Sequence, residues 1–384
     1  MRSVSRAGLT LFTCIAGTAL GAGFQLYTEG SAEALGQAGA ISGRTNMTSQ
    51  AWYNPSALAG ADRPQIMVGS AFASIHTDYN EPGTGNDATM SDDWRVIPHL
   101  YYVQPLAEDW TGTVSINAPY GLVTEWSAGW SGAALATYSE LRAIYITPSV
   151  AWQAFDMLAV SAGLNIVDAE ADLQRTGSVV QGDDMSYGGT VSAHLQPLDD
   201  WGFGFRYQSS VKLDISGSAN GTIPASAELE LPSSINVGVA NTTFENLSLG
   251  LDLVWTEWST YDELTIVLPA AAGGPQTAVK DWEDVISVRL GAEYALNEDW
   301  KLRAGYVWDE SPVPDETRTP ELPGTDRQMV MIGFGWQLRP AMTLDAAYSY
   351  LWADKGPIGT NPLGLAGDFE TTTHLLALSM GYTF

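Results

Sequence analysis

Few side chains in this chain are arranged to do chemistry. The four histidines, His76, His99, His194 and His374, are scattered, and no His-x-x-x-His spacing sets two imidazoles on one metal. Wall or loop histidines are the simpler reading, so no metal site, catalytic group or cofactor is expected. A Gly-x-Ser-x-Gly elbow for a serine hydrolase is missing, although a lumen-edge Ser/His pair in a lipid-modifying enzyme stays open. Gly202-Phe203-Gly204 and Gly333-Phe334-Gly335 imitate nucleotide loops, yet both lie among alternating aromatics, as wall glycines would. Acidic runs such as Ser91-Asp92-Asp93 read as a solvated outer surface, where divalent cations could bridge to lipopolysaccharide.

The elements that would carry these residues follow from composition. With 17 Lys+Arg against 44 Asp+Glu, the formal charge of −27 argues against a nucleic-acid partner. Hydrophobic residues at 45% exclude a disordered chain, and no apolar run reaches the ~20 residues of a membrane-spanning helix. At the N-terminus, Arg2 and Arg6 precede an apolar run from Leu9 to Ala16. Ala19-Leu20-Gly21 then offers the small residues a signal peptidase reads. Residues 1–21 are therefore expected to be an export signal whose removal takes Cys14, the single cysteine, with it.

From Gln65 onward, alternating segments are closed by turns. Val330, Ile332, Phe334, Trp336 and Leu338 interleave with Met331, Gly333, Gly335 and Gln337. Leu247 to Trp255 and Trp201 to Tyr207 behave likewise, so each set lies on one sheet face. A soluble sandwich would also alternate. However, the apolar faces end in Trp or Tyr, as an aromatic girdle requires, and the opposite faces are small and polar with Arg206, Asp252 and Asp345. Short turns are expected at Ala107–Asp109, Asp156, Leu198–Asp200, Asn241–Asn246, Asn297–Asp299 and Arg339-Pro340. Trp110, Trp201 and Trp300 open three of the returning strands. Longer connections fall near 78–95, 119–138, 173–187, 211–227, 269–281, 309–326 and 353–369. Six turns and seven loops give an all-β fold, a transmembrane antiparallel barrel of 14 strands over residues 65–384. Residues 22–64 lack the strand pattern and form an N-terminal hatch, which period alone leaves either capping the barrel or plugging its lumen.

Several stretches resemble the FadL family of long-chain fatty-acid transporters. They are Ala22-Gly23-Phe24-Gln25-Leu26, Gly36, Asn54-Pro55-Ser56-Ala57-Leu58, Trp255–Ser259, the run DESPVPDETRTPELPGTDR from Asp309 to Arg327, and Leu344–Tyr350. The resemblance implies a hatch inside the lumen and passive, multi-pass outer-membrane uptake of hydrophobic molecules. The path it implies runs from an outer-loop groove through an inner pocket to a lateral exit into the bilayer. The expected partners are a fatty acid, alkane or monoaromatic, outer-membrane lipid and lipopolysaccharide, with the protein a monomer. An adhesin or phage-receptor barrel is the non-transport alternative.

By the same resemblance Phe24 lines the inner pocket, and Pro119 and Gly121 are candidates for the strand break at the lateral opening, since proline removes a ladder donor. Trp126 and Trp130, with Leu135, suit a surface groove. Acidic Glu170, Asp172 and Glu283 stand where fatty-acid members tend to be basic, which leaves Arg175 and Lys280 as head-group candidates. That acidic substitution points toward uncharged cargo as much as toward a carboxylate.

Overall fold

The computed structural model describes residues 23–384, so the expected export signal lies outside the described residues. Fourteen strands form the wall. They are β1 (Gln65–Asn80), β2 (Arg95–Ala107), β3 (Trp110–Glu125), β4 (Tyr138–Phe155), β5 (Leu158–Arg175), β6 (Ser178–Leu198) and β7 (Trp201–Gln208). They continue as β8 (Ser234–Phe244), β9 (Leu247–Thr256), β10 (Val285–Ala295), β11 (Trp300–Asp309), β12 (Arg327–Arg339), β13 (Met342–Ala353) and β14 (Asp368–Thr383). Each strand is antiparallel to its neighbour, and β14 closes on β1 from Gln65↔Thr383 to Asn80↔Asp368. Closure leaves no free terminal strand, as a sheet in lipid requires.

Alternation along each strand decides which side meets lipid. On β14, Phe369, Thr371, Thr373, Leu375, Ala377 and Ser379 are buried while Leu376, Leu378 and Met380 are exposed. All six expected turns are present, and Trp110, Trp201 and Trp300 are the first residues of β3, β7 and β11. The rings at that rim pair across strands: Trp110 stacks on Trp152 at 5.5 Å and Trp300 on Trp336 at 5.0 Å. Two expected loops are largely strand instead. Near 173–187, β5 and β6 run to a tight turn at Thr176-Gly177, and near 211–227 the arms Val211–Ala219 and Ile223–Leu231 form a hairpin above β7 and β8.

The hatch fills the lumen. Its helices α1 (Ala32–Leu35) and α2 (Gln50–Tyr53) are short and wholly buried. Ser31 caps α1 by accepting from the Ala34 N–H at 3.0 Å. Asn54 Nδ2 donates to Ser42 O at 2.8 Å, and Pro55 opens the 3-10 turn that follows. Close approach to the wall depends on inward glycines. A Cβ on Gly333 would lie 2.8 Å from Gly36 Cα, and one on Gly204 would lie 2.1 Å from Ser42 O. Of the wall glycines expected from the sequence, Gly202, Gly204 and Gly333 are where hatch backbone touches the barrel, and Gly335 faces Asp345 and Arg303. Charge completes the seam: Arg44 and Arg303 meet Glu293 at 2.8 and 2.7 Å, and Arg303 meets Asp345 at 2.5 Å.

A Gly333→Leu substitution should overpack this seam by about 1–3 kcal/mol and lift the hatch while leaving the barrel closed. Trypsin cleavage at Arg44 in detergent should then accelerate roughly tenfold, with the heat-modifiable folded form retained. Unchanged cleavage would show that the hatch does not depend on this contact.

Candidate functional site

The wall departs from regular pairing at one place on β3. Pairing with β2 stops at Leu100↔Ile116, and pairing with β4 slips between Asn117 and Tyr120. Beyond Asn117 the alternation ends and every residue from Ala118 to Thr124 is buried, because this part of β3 bends into the lumen. The upper part of β2, from Arg95 to His99, is left without β3 beside it. Hydrogen bonds lost to the wall are replaced by the hatch. Leu26 N–H donates to Pro119 O at 2.7 Å, Gly121 N–H donates to Phe24 O at 2.9 Å, and Gln25 bridges Tyr120. Pro119 has no N–H to satisfy.

The run that carries the family-like signature folds over this bend. Trp126 Nε1 donates to Pro320 O at 3.0 Å and Thr124 Oγ1 to Glu321 O at 3.3 Å. Arg318 pins the run by donating to Gly324 O, Val313 O and the Asp315 carboxylate at 3.0, 3.2 and 2.7 Å.

Beside the bend lies a mostly apolar cavity of ≈ 240 Å³. That is somewhat below the ~300–1,000 Å³ usual for small-molecule pockets, and it describes a slot rather than a chamber. Leu122, Leu135, Leu141, Leu173, Ile215 and Leu264 supply its walls. Phe24 forms its floor, at centroid distances of 4.7 Å from Trp258, 5.9 Å from Trp282, 6.1 Å from Tyr120 and 6.4 Å from Tyr261. Gly23, at φ 64°, brings the chain close enough for this packing, since a Cβ there would lie 2.5 Å from Trp258. Burial, with help from Glu321, holds the Tyr261 phenol above its usual range, so it is neutral.

The structure therefore brings Phe24, Leu135, Arg175 and Lys280 to one cavity. They are not equivalent. Lys280 is 6% exposed and has no side-chain partner among the described residues, whereas Arg175 is exposed and donates to Gln276 Oε1 at 2.7 Å. Trp126 and Trp130 lie in an irregular connection and not on a helix, and the side on which their rings meet is covered. The rings stack at 4.7 Å and pack with Tyr79 and Phe369 beneath the loops, so they form a loop core and not an open groove.

The acidic residues also differ from expectation. Glu170 points outward and pairs with Arg142 at 2.5 Å, and the residues of β5 that line the cavity include Ala171 and Leu173. Glu283 is exposed while its neighbour Trp282 turns in. Neither carboxylate faces cargo, so the case they made for uncharged cargo falls. Glu140 and Glu321 do line the cavity. Glu321 and the floor rings Trp258 and Tyr261 were not anticipated, because loop composition carries no sign that a loop turns inward. Each histidine has a structural contact: Asp78 for His76, Ser379 for His99, Gly43 O for His194 and Tyr348 for His374.

Residues 12–384 match the family described as outer membrane protein transport protein (OMPP1/FadL/TodX). The chain belongs to that family. It is similar to the long-chain fatty acid transport protein of Salmonella typhi, 24% identical with 99% of this chain and 98% of that one aligned. It is also similar to that of Escherichia coli K12, at 24% identity over 94% of each. Among solved structures, a Pseudomonas aeruginosa FadL homologue superposes with a TM-score of 0.86 at 24% identity, covering 94% of this chain and 100% of that one. The Pseudomonas putida toluene transporter TodX gives 0.77 at 17% identity, covering 94% and 99%. Family and fold together place the protein in the bacterial outer membrane.

Phe24→Ala should remove the ring that clamps residues 24–26 to β3, at a cost of about 3–5 kcal/mol. Amide exchange at Leu26 and Gly121 should then rise by at least about 100-fold, read by mass spectrometry of the detergent-solubilised protein. Unchanged protection would mean that the aromatic floor does not hold the hatch strand in place.

Proposed function

We propose that this protein is a passive outer-membrane channel for long-chain hydrophobic compounds, with a carboxylated chain as its preferred cargo. Cargo enters from the outer loops, occupies the slot above Phe24 and leaves sideways between β2 and β3 into the bilayer. One observation carries the reading: an apolar slot ends beside the bend where β3 leaves β2 and the hatch pairs with it instead. A non-polar chain avoids water at every stage of such a path, so no energised partner is required.

Head-group preference rests on Lys280. Lys280 is largely buried and has no carboxylate partner among the described residues, which is unfavourable until an anion reaches it, and the slot it lines is otherwise largely apolar. Arg175, exposed near the rim, attracts anions only through solvent-screened forces. The second reading, an uncharged alkane or monoaromatic, rests on Glu321, whose Oε2 is buried without a partner and lines the same slot. The relatives named long-chain fatty acid transport proteins support the first reading, and the toluene transporter supports the second.

Membership in a family of transport proteins supports a channel over a lipid-modifying enzyme. A closed wall with no edge strand supports a monomer. Acidic residues on the outer hairpins, including Asp183, Asp184 and Asp214, support cation-bridged contact with lipopolysaccharide.

Lys280→Ala should weaken oleate binding by at least about tenfold and leave octadecane uptake within about twofold. Arg175→Ala should change either by less than about threefold. Fluorescence competition on purified protein and uptake by cells lacking other fatty-acid channels read the two effects. Equal loss of oleate and octadecane would contradict a head-group role for Lys280.

A further inference from the structure

Below the slot the lumen holds a cation that this path has not used. Arg206 lies on the inner face of β7 and is 3% exposed. Its guanidinium carbon stands 3.9 Å from the centroid of the Trp52 ring in the hatch, and Nη2 donates to Gln208 Oε1 at 2.6 Å. Nε has no acceptor, and no carboxylate pairs with the side chain among the described residues. Arg303 is matched by Glu293 and Asp345 and Arg327 by Asp309, while Arg289, over the Tyr27 ring, lacks a direct carboxylate contact among the described residues but has Asp252 near it. A guanidinium removed from water calls for an anion, and one ring face with one neutral acceptor compensates only in part.

Among the other buried donors that lack acceptors are Tyr145 Oη and Trp258 Nε1. Consecutive ring contacts join all three to the cavity floor. Phe24 meets Tyr120 at 6.1 Å, Tyr120 meets Tyr145 at 5.9 Å and Tyr145 meets Trp52 at 6.2 Å. Trp258 touches Phe24 and Tyr120 at 4.7 and 6.2 Å. Tyr120 belongs to the bent stretch of β3, so this file of rings runs beside the opening in the wall.

We propose that Arg206, with Tyr145 beside it, is an inner anion station that receives the carboxylate of a long-chain acid after it leaves Lys280. The head group is held by Nε–H and O–H donors in the lumen while the apolar tail lies along the rings toward the gap. The station rests on the carboxylate-cargo reading given above. Lys280 governs capture; Arg206 governs passage. An alkane, with no head group, gains nothing from the station.

The test compares uptake of oleate and of octadecene by cells that express each variant as their only fatty-acid channel, with oleate binding measured on the purified proteins. Arg206→Gln should lower oleate uptake by at least about tenfold, leave octadecene uptake within about twofold and leave oleate binding at the outer slot within about twofold. Arg206→Lys should recover most of the uptake. Tyr145→Phe, which keeps the ring and removes the donor, should lower oleate uptake about threefold. Equal loss of both cargoes would overturn the station in favour of a hatch latch, and unchanged oleate uptake would overturn it outright. A parallel loss of oleate binding would assign Arg206 to capture. Should Arg206→Gln fail to fold, Tyr145→Phe and Arg206→Lys decide the matter: an unchanged ratio of oleate to octadecene uptake in both would overturn the proposal. Wild-type cells that take up octadecene but no oleate would instead refute the carboxylate reading itself.

Discussion

A β-barrel in lipid must satisfy every backbone hydrogen bond within itself, so a gap in its wall is permitted only where another segment replaces the lost ladder. Here the hatch is that segment on the β3 side of the gap. Residues Phe24 to Leu26 pair with the inward-bent stretch of β3, and Pro119 is placed where a missing donor costs nothing. Without the hatch strand, the bend would expose unpaired carbonyl and amide groups to a half-empty lumen. The same strand delivers the Phe24 ring to the cavity floor. Opening in the wall and base of the slot are therefore fixed by one short stretch of chain.

What fixes the hatch in turn is a seam of inward glycines and a buried ionic cluster. Backbone lies against backbone at Gly36 and Gly333 and at Ser42 and Gly204. Glu293, Arg303 and Asp345 link β10, β11 and β13 beneath α1, and Arg44 ties the hatch to the same carboxylate. Removing one member of such a cluster would strand the others without water, which makes the set a rigid base. Upward from the periplasmic turns, an ionic cluster gives way to aromatic side chains around Arg206 and Phe24 and then to a mostly aliphatic slot that also holds Lys280, Glu140 and Glu321. A molecule that is apolar along its length and charged at one end fits that gradient.

Much of this architecture was legible in the sequence because the lipid boundary imposes a period of two. Alternation in Val330–Leu338 and Leu376–Phe384, the turn residues and the Trp openings of β3, β7 and β11 all follow from where lipid, lumen and interface must fall. The break near Pro119 was legible for a local reason, since a proline in a strand removes a ladder donor. Side-chain direction within the upper connections was not legible. Trp126 and Trp130 meet each other, but what covers them is Tyr79, Ile358 and Phe369, far away in the chain. Glu170 was misread because position in an acidic run does not tell which side of a strand a residue occupies; on β5 the residues facing the slot are its neighbours. Arg206 was seen as a lumen charge, yet its isolation from carboxylates depends on partners in α2 and β3 that no local pattern encodes.

The central claim is that cargo leaves through the wall at the bend of β3 and not through the base of the barrel. A polar cavity of ≈ 450 Å³ lined by Leu58, Asp62, Arg63 and Tyr382 marks the alternative, a route past the hatch to the periplasm. A long-chain acid carrying a photoreactive diazirine near its methyl end, irradiated during uptake in outer-membrane vesicles, distinguishes the two directly. Lateral exit predicts covalent adducts on residues 96–100 of β2 and 117–122 of β3, with none on residues 57–63. Adducts concentrated on residues 57–63 of the hatch, with the bend unlabelled, would contradict the account.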